Sequence, residues 1–377
     1  MAFIRGKLDY YGHGDTIGYD DGVTDGADQI IGTFRADHIF AGGGNDIIKG
    51  GGGADTIDGG EGRDGASYED SGTGVEVSLQ LGLGKGGTAE GDKLSNIEDL
   101  YGSKFDDTLV GDKNDNRLDG GAGNDILKGG GGTDVLNGGA GDDRMEIDGV
   151  EDHANGGDGI DTLVLSTSKG MMVNLGTGFV DPNSNGQGWY GQYSHWSDYV
   201  GYYAPHAQGT PDQISGIENV VGSAYDDDIY GNALANDLSG NGGNDLLSGR
   251  GGDDFIDGGS GNDFLYGGIG ADTLIGGFGN DIFIFTKFED STVVNGKPQD
   301  VIVDFQHGED KIDLTAVASD LAYGDLHVMD NQTIDGANYS IVTIDTNHDG
   351  IYGEGDFAIA VKMAAGTALH QNDFIIA

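Results

Sequence analysis

Aspartate returns every nine residues through most of this chain, each time closing a glycine-rich turn. The segment from Gly240 to Ile284 reads GNGGNDLLS, GRGGDDFID, GGSGNDFLY, GGIGADTLI and GGFGNDIFI. Its sixth places are Asp245, Asp254, Asp263, Asp272 and Asp281, and its eighth places are Leu247, Ile256, Leu265, Leu274 and Phe283. Such a period leaves room for a six-residue turn and a three-residue strand, and for little else. Glycine accepts positive φ without steric cost, which suits the turn. The single apolar residue at the centre of each strand is the only candidate core side chain.

Two strands and two turns make one coil of about eighteen residues. One coil cannot bury its apolar residues alone, so coils must stack. Stacking places sixth-place carboxylates directly above one another, and like charges so close repel. A hard cation between them reverses that sign. Calcium suits the geometry, since it takes six to eight oxygens and accepts backbone carbonyls from irregular turns.

The pattern occupies three runs. The first holds VTDGADQII, GTFRADHIF, AGGGNDIIK, GGGGADTID and GGEGRDGAS, with sixth places Asp28, Asp37, Asp46, Asp55 and Asp64. The second, from Gly102 to Val164, carries Asp107, Asn116, Asp125, Asp134, Asp143, Asp152 and Asp161. The third, from Gly222 to Ile284, adds Asp227 and Asn236 before the five aspartates named above. Pairing sixth places one coil apart predicts about thirteen calcium sites at most, and roughly ten or more ions. A neutral Asn116 weakens its own site.

With its many units in register, the chain resembles the RTX (repeats-in-toxin) proteins and their parallel β-roll, in which the sixth-place Asp is a calcium ligand completed by turn carbonyls. The fold class expected is all-β: three stacked rolls joined by longer connector coils, with a β-rich C-terminal cap. The expected divisions are an N-terminal cap and first roll over 1–67, a connector over 68–101, a second roll over 102–164, a connector over 165–221, a third roll over 222–284, and a cap with a type I secretion region over 285–377.

The two connectors are related. GVEVSLQLG followed by GDKLSNIEDLYGS parallels GMMVNLGTG followed by PDQISGIENVVGS. Both alternate like strands and end in Ile-Glu-Asx before a Gly-Ser that restarts the period. The second connector is longer and holds both tryptophans, Trp189 and Trp196, beside Phe179, Tyr190, Tyr193, Tyr199, Tyr202 and Tyr203. A thin solenoid cannot hide that much aromatic surface. Two readings stand: a binding loop whose rings stack on sugars or a partner, or a flap packed on itself. His195, Asp198 and His206 nearby match no catalytic spacing.

After Ile284 the period stops. DVIVDFQHGEDKIDLTAV and the closing DFIIA resemble the C-terminal region of serralysin-type RTX proteins. A roll needs such a cap over its last exposed strand edges. Within it, Asp345, Asn347, Asp349, Gly350 and Asp356 match positions 1, 3, 5, 6 and 12 of an EF-hand loop, but on strand-like flanks and with Asp at the last place. Either a calcium-loaded hairpin loop or a plain acidic turn fits.

The net charge is −47, and cysteine is absent. Charge of that size opposes compaction unless cations offset it, so folding is expected to be linked to calcium. No basic footprint for nucleic acid exists. No run is apolar enough to span a membrane, and no apolar export signal opens the chain. The RTX resemblance implies export by an ABC-type type I apparatus and an extracellular or cell-surface location. HExxH and GxSxG motifs are missing, so the reading leans away from an enzyme. A structural, adhesive or matrix role leads. The alternative is a calcium-dependent module that binds, or an enzyme that modifies, extracellular polysaccharide or cell-surface glycan through the 179–206 loop.

Overall fold

The computed structural model describes residues 3–5, 16–17, 23–148, 151–176, 179–182, 212–318, 321–334, 336–346, 352–353, 355–363 and 367–376. Among them there is no α-helix, only strands and short 3-10 turns. The chain is all-β, and its parallel stacking is that of a β-roll. It divides into two compact units, residues 1–166 with 210–217, and residues 167–209 with 218–377.

In the first unit, one sheet stacks Gln29–Ile31, Ile47–Lys49, Gly65–Ser67, Asp99–Tyr101, Arg117–Ala122, Val135–Ala140, His153–Asp158 and Asp212–Ser215, every neighbour parallel. Register places Ile30 on Ile48, Ile48 on Ala66, Ala66 on Leu100, Leu100 on Leu118 and Leu118 on Leu136. The facing sheet stacks Ile39 on Ile57 and Ile57 on Leu94. It resumes with Val77 on Leu109, Leu127 on Met145 and Met145 on Leu163. These side chains, from nonapeptides and connector alike, are almost all fully buried. Each contributes about 1.5–3 kcal/mol by leaving water.

The first connector interrupts only one of the two sheets. Gly65–Ser67 passes directly to Asp99–Tyr101 on one side. On the other, Lys93–Ser95 and Glu76–Ser78 flank an antiparallel strand, Leu83–Lys85. The extra residues are absorbed as a local meander, and the parallel stacking continues on both its edges.

The second unit repeats the plan. Val173, Ile229, Leu247, Leu265, Phe283, Ile312 and Phe374 form one buried column. Val220, Leu238, Ile256, Leu274, Ile302 and Val361 form the other. Asp300–Phe305 pairs in parallel with Phe357–Met363, and beyond that strand the second sheet turns antiparallel through Ala337–Ile344 and His327–Ile334. Larger side chains fill this end: Phe283 meets Phe305 at 6.1 Å and Phe285 meets Phe357 edge-on at 5.6 Å. No helix among the described residues is long and apolar enough to cross a membrane.

Candidate metal centre

The sixth-place aspartates form ladders in which one carboxylate oxygen does structural work. The backbone N–H of Asp28 donates to Asp46 Oδ1 at 2.7 Å, and that of Asp37 to Asp55 Oδ1 at 2.7 Å. The same bond links Asp107 to Asp125, Asp125 to Asp143, and Asp134 to Asp152, at 2.7–2.8 Å. It links Asp227 to Asp245, Asp245 to Asp263, Asp254 to Asp272, and Asp263 to Asp281, at 2.8–2.9 Å. Each step spans eighteen residues, one full coil. The period that stacks the core therefore also stacks the carboxylates, and all of these side chains are buried.

The second oxygen is where the turns divide into two sets. In Asp46, Asp55, Asp64, Asp125, Asp134, Asp143, Asp245, Asp254, Asp263, Asp272 and Asp281, Oδ2 is buried and accepts no hydrogen bond. A buried acceptor left unmet costs about 1–3 kcal/mol, more when charged. In Asp28, Asp37, Asp107 and Asp227, Oδ2 instead accepts a backbone N–H from Thr24, Thr33, Ser103 and Ser223, four residues earlier. The hydroxyls of those four residues donate to the same carboxylates. Asp152 Oδ2 accepts the Asp148 N–H at 3.2 Å. The neutral Asn116 and Asn236 follow this second pattern, taking the N–H of Asp112 and Asn232 on Oδ1. Their Nδ2 groups donate to the Glu98 and Glu218 carbonyls, the glutamates of the paired connector motifs.

The ladders run past the nonapeptides. Asp55 donates its N–H to Asp92 Oδ1, Asp64 to Glu98 Oε2, Asp152 to Asp212 Oδ1, Asp272 to Asp300 Oδ1 and Asp281 to Asp310 Oδ1. Sequence reasoning missed these five acidic residues. Asp92 and Asp212 hold the same place in the two related connectors, six residues before Glu98 and Glu218, which is the signal that identifies them. Asp92 Oδ2 is met by the Tyr68 hydroxyl at 3.2 Å, whereas Oδ2 of Asp212 and Asp300 is unmet.

Glycine at the first place of most turns leaves a cradle for these oxygens; Val23, Ala41 and Ile147 stand there before Asp28, Asp46 and Asp152. A Cβ on Gly258 would lie 2.5 Å from Asp263 Oδ2 and 2.7 Å from the Gly276 carbonyl oxygen. Gly120 and Gly240 face the same pair of atoms, their own turn's Oδ2 and the next turn's carbonyl. The donor set is all oxygen, the preference of a hard cation. Among the described residues no three acidic, histidine or cysteine side chains converge as a metal site. The carboxylates thus arrive singly, and carbonyls have to complete any coordination shell.

Burial acts on the acids directly. Desolvation, with smaller contributions from the Asp263 and Asp227 charges, pushes the Asp245 carboxyl up to about 9. Burial also raises Asp55, Asp125, Asp134, Asp212, Asp254 and Asp263 to about 7. It raises Asp64, Asp143, Asp272 and Asp281 to about 6, and Asp300 well above the carboxylate range. Without a counter-charge these ladders favour protons, so a cation there displaces protons.

Asp345 and Asp356 frame the EF-hand-like segment between antiparallel Ala337–Ile344 and Phe357–Met363. Asp356 is buried and accepts from Thr346 N–H at 3.1 Å, Thr346 Oγ1 at 3.0 Å and Gly353 N–H at 2.8 Å. Asn347 and Asp349 lie outside the described residues, as do Trp189, Tyr190, Tyr193, Trp196, Tyr199, Tyr202, His195, Asp198 and His206.

Fold and site together define a nonapeptide β-roll with oxygen-lined, carboxylate-bearing turns. The family described as RTX calcium-binding nonapeptide repeat (4 copies) matches residues 24–57, 31–66, 95–127, 110–145, 214–247, 230–265 and 248–283. These stretches carry RTX calcium-binding nonapeptide repeats. No curated protein matches it. Similar solved structures include two subunits of the Azotobacter vinelandii mannuronan C5-epimerase. AlgE6R3 is 28% identical, covering 40% of this chain and 77% of that one, with a TM-score of 0.21. AlgE6R2 is 29% identical, covering 40% and 88%, with a TM-score of 0.22. The extracellular lipase LipA from Serratia marcescens is 16% identical over 80% of this chain and 42% of its own, with a TM-score of 0.17.

Proposed function

We propose that this chain is a calcium-folded structural protein of the extracellular space, exported unfolded and ordered by the calcium it meets outside. The observation that carries the reading is the row of buried, unmet Oδ2 atoms on successive coils. Calcium, when bound, supplies the positive charge and coordination those oxygens lack. The protein's own part is to align carboxylates by the N–H to Oδ1 bond, to bury them, and to leave the cradle open with glycine. Asp46, Asp55, Asp64, Asp125, Asp134, Asp143, Asp245, Asp254, Asp263, Asp272 and Asp281 are the proposed ligands.

The net charge of −47 supports the same reading. A ligand bound only by the folded state stabilises it by about 2.7 kcal/mol per site at a hundredfold excess over Kd. Many such sites couple folding steeply to free calcium. A rigid rolled body presenting its loops then serves adhesion or a matrix. The glycan-binding reading draws its support from the aromatic residues of 179–206 alone.

Titration of EDTA-treated protein with calcium, followed by circular dichroism, tests the proposal. A β signal that rises cooperatively with calcium and is absent with magnesium supports it. A chelated sample with unchanged β signal and melting temperature sinks it.

A further inference from the structure

The unmet and the met carboxylates differ four residues upstream. Before Asp46, Asp55, Asp125 and Asp263 that residue is Gly42, Gly51, Gly121 or Gly259, with φ between 92° and 102°. The feature is conformational rather than a property of glycine. Before Asp245 and Asp254 the same place holds Asn241 at φ 71° and Arg250 at φ 75°. Asn tolerates that region, but Arg250 bears a strain of about 1–2 kcal/mol there, and such strain persists only where the surroundings demand it. Before Asp37, Asp107 and Asp227 stand Thr33, Ser103 and Ser223, none of which has positive φ, and each donates its N–H to Oδ2.

We propose that the backbone hand at this upstream residue selects which turns take an ion. A left-handed residue turns its peptide away and leaves Oδ2 as a ligand. A right-handed or extended one spends its N–H, and its hydroxyl where it has one, on Oδ2, and that carboxylate stays metal-free. The first turns of each run are then starter turns that hold the ladder without an ion. The two asparagines agree: Asn116 and Asn236 occur only where Asp112 and Asn232 already make this bond, so a lost charge there costs no ligand.

The rule reaches beyond the nonapeptides and names a site there. Asp300 follows Gly296, whose φ is 74°. Its Oδ1 accepts the Asp272 N–H at 3.0 Å, its Oδ2 is unmet, and the residue is fully buried. Asp310, by contrast, takes the Gln306 N–H on Oδ2 at 2.7 Å. The structure assigns Asp300 to the ligands and leaves Asp310 as a ladder end. This narrows the wider expectation that every sixth-place Asp binds, and it rests on the calcium reading above.

The test is calcium per chain, measured by elemental analysis after gel filtration of the full chain in calcium buffer. Asp37→Asn keeps the wild-type count, as the natural asparagines imply. Asp55→Asn and Asp300→Asn each lose at least one ion. Should either of the last two fail to fold, anomalous scattering from calcium in wild-type crystals decides, with ions expected beside Asp55 and Asp300 and none held by Asp37. Loss of an ion in Asp37→Asn, or a wild-type count in Asp300→Asn, overturns the selection rule. A wild-type chain that binds no calcium overturns the parent reading instead.

Discussion

Asp245 donates its backbone N–H to Oδ1 of Asp263 at 2.8 Å, while Oδ2 of Asp263 is buried without any donor. The two oxygens of one carboxylate are thus unlike: one holds two coils in register, and the other is the calcium ligand proposed above.

Asp263→Asn keeps the register bond through its amide oxygen but replaces the waiting oxygen with a donor. At a hundredfold calcium excess, loss of one site costs about 2.7 kcal/mol. That lowers the melting temperature by about 5–10 °C for a unit of this size. The difference between wild type and variant should shrink in EDTA, as a calorimetric scan in both buffers will show.

Gly258→Ala places a methyl against Asp263 Oδ2 and the Gly276 carbonyl. The Gly258 φ is not in the left-handed region, so the effect is steric. Calcium affinity should fall and the calcium midpoint for folding should rise. Gly72→Ala, with nothing within 4 Å of its Cβ, is the control and should leave the midpoint unchanged.

The pH response should reverse with calcium. Burial raises Asp245 from 3.8 to about 9. A carboxyl raised on folding stabilises the fold fully below its unfolded value, and that stability is lost as pH climbs through the folded value. In EDTA, β content should therefore increase as pH is lowered from 9 towards 5. In saturating calcium, lowering pH over the same range should weaken the fold, since protons compete for the oxygens. Circular dichroism against pH in both buffers distinguishes the two slopes.

Leu265 is fully buried between Leu247 and Phe283 in its column. Leu265→Ala should cost about 2–5 kcal/mol whether or not calcium is in excess. Phe278→Ala, at an 82% exposed turn position, should change stability by less than about 0.5 kcal/mol. Denaturant melts of the two variants separate core from surface.

Much of this architecture could be read before any coordinates. The nine-residue spacing of Leu247, Ile256 and Leu265 already implied short strands on alternate sides of a coil, because nothing else buries one residue in nine. Repetition also made the carboxylate columns legible. What stayed hidden lies where the period breaks. Asp300 sits 28 residues after Asp272, so no fixed spacing links them, yet its Oδ1 takes the same N–H.

The sequence by itself determined the roll and its acid ladders, because a period acts identically on every coil that obeys it. Only the tertiary structure decided which carboxylate oxygens are already hydrogen-bonded. Whether Asp37 meets Thr33 or Asp254 escapes Arg250 depends on one φ angle, and that angle is set by how the neighbouring coils pack against the turn.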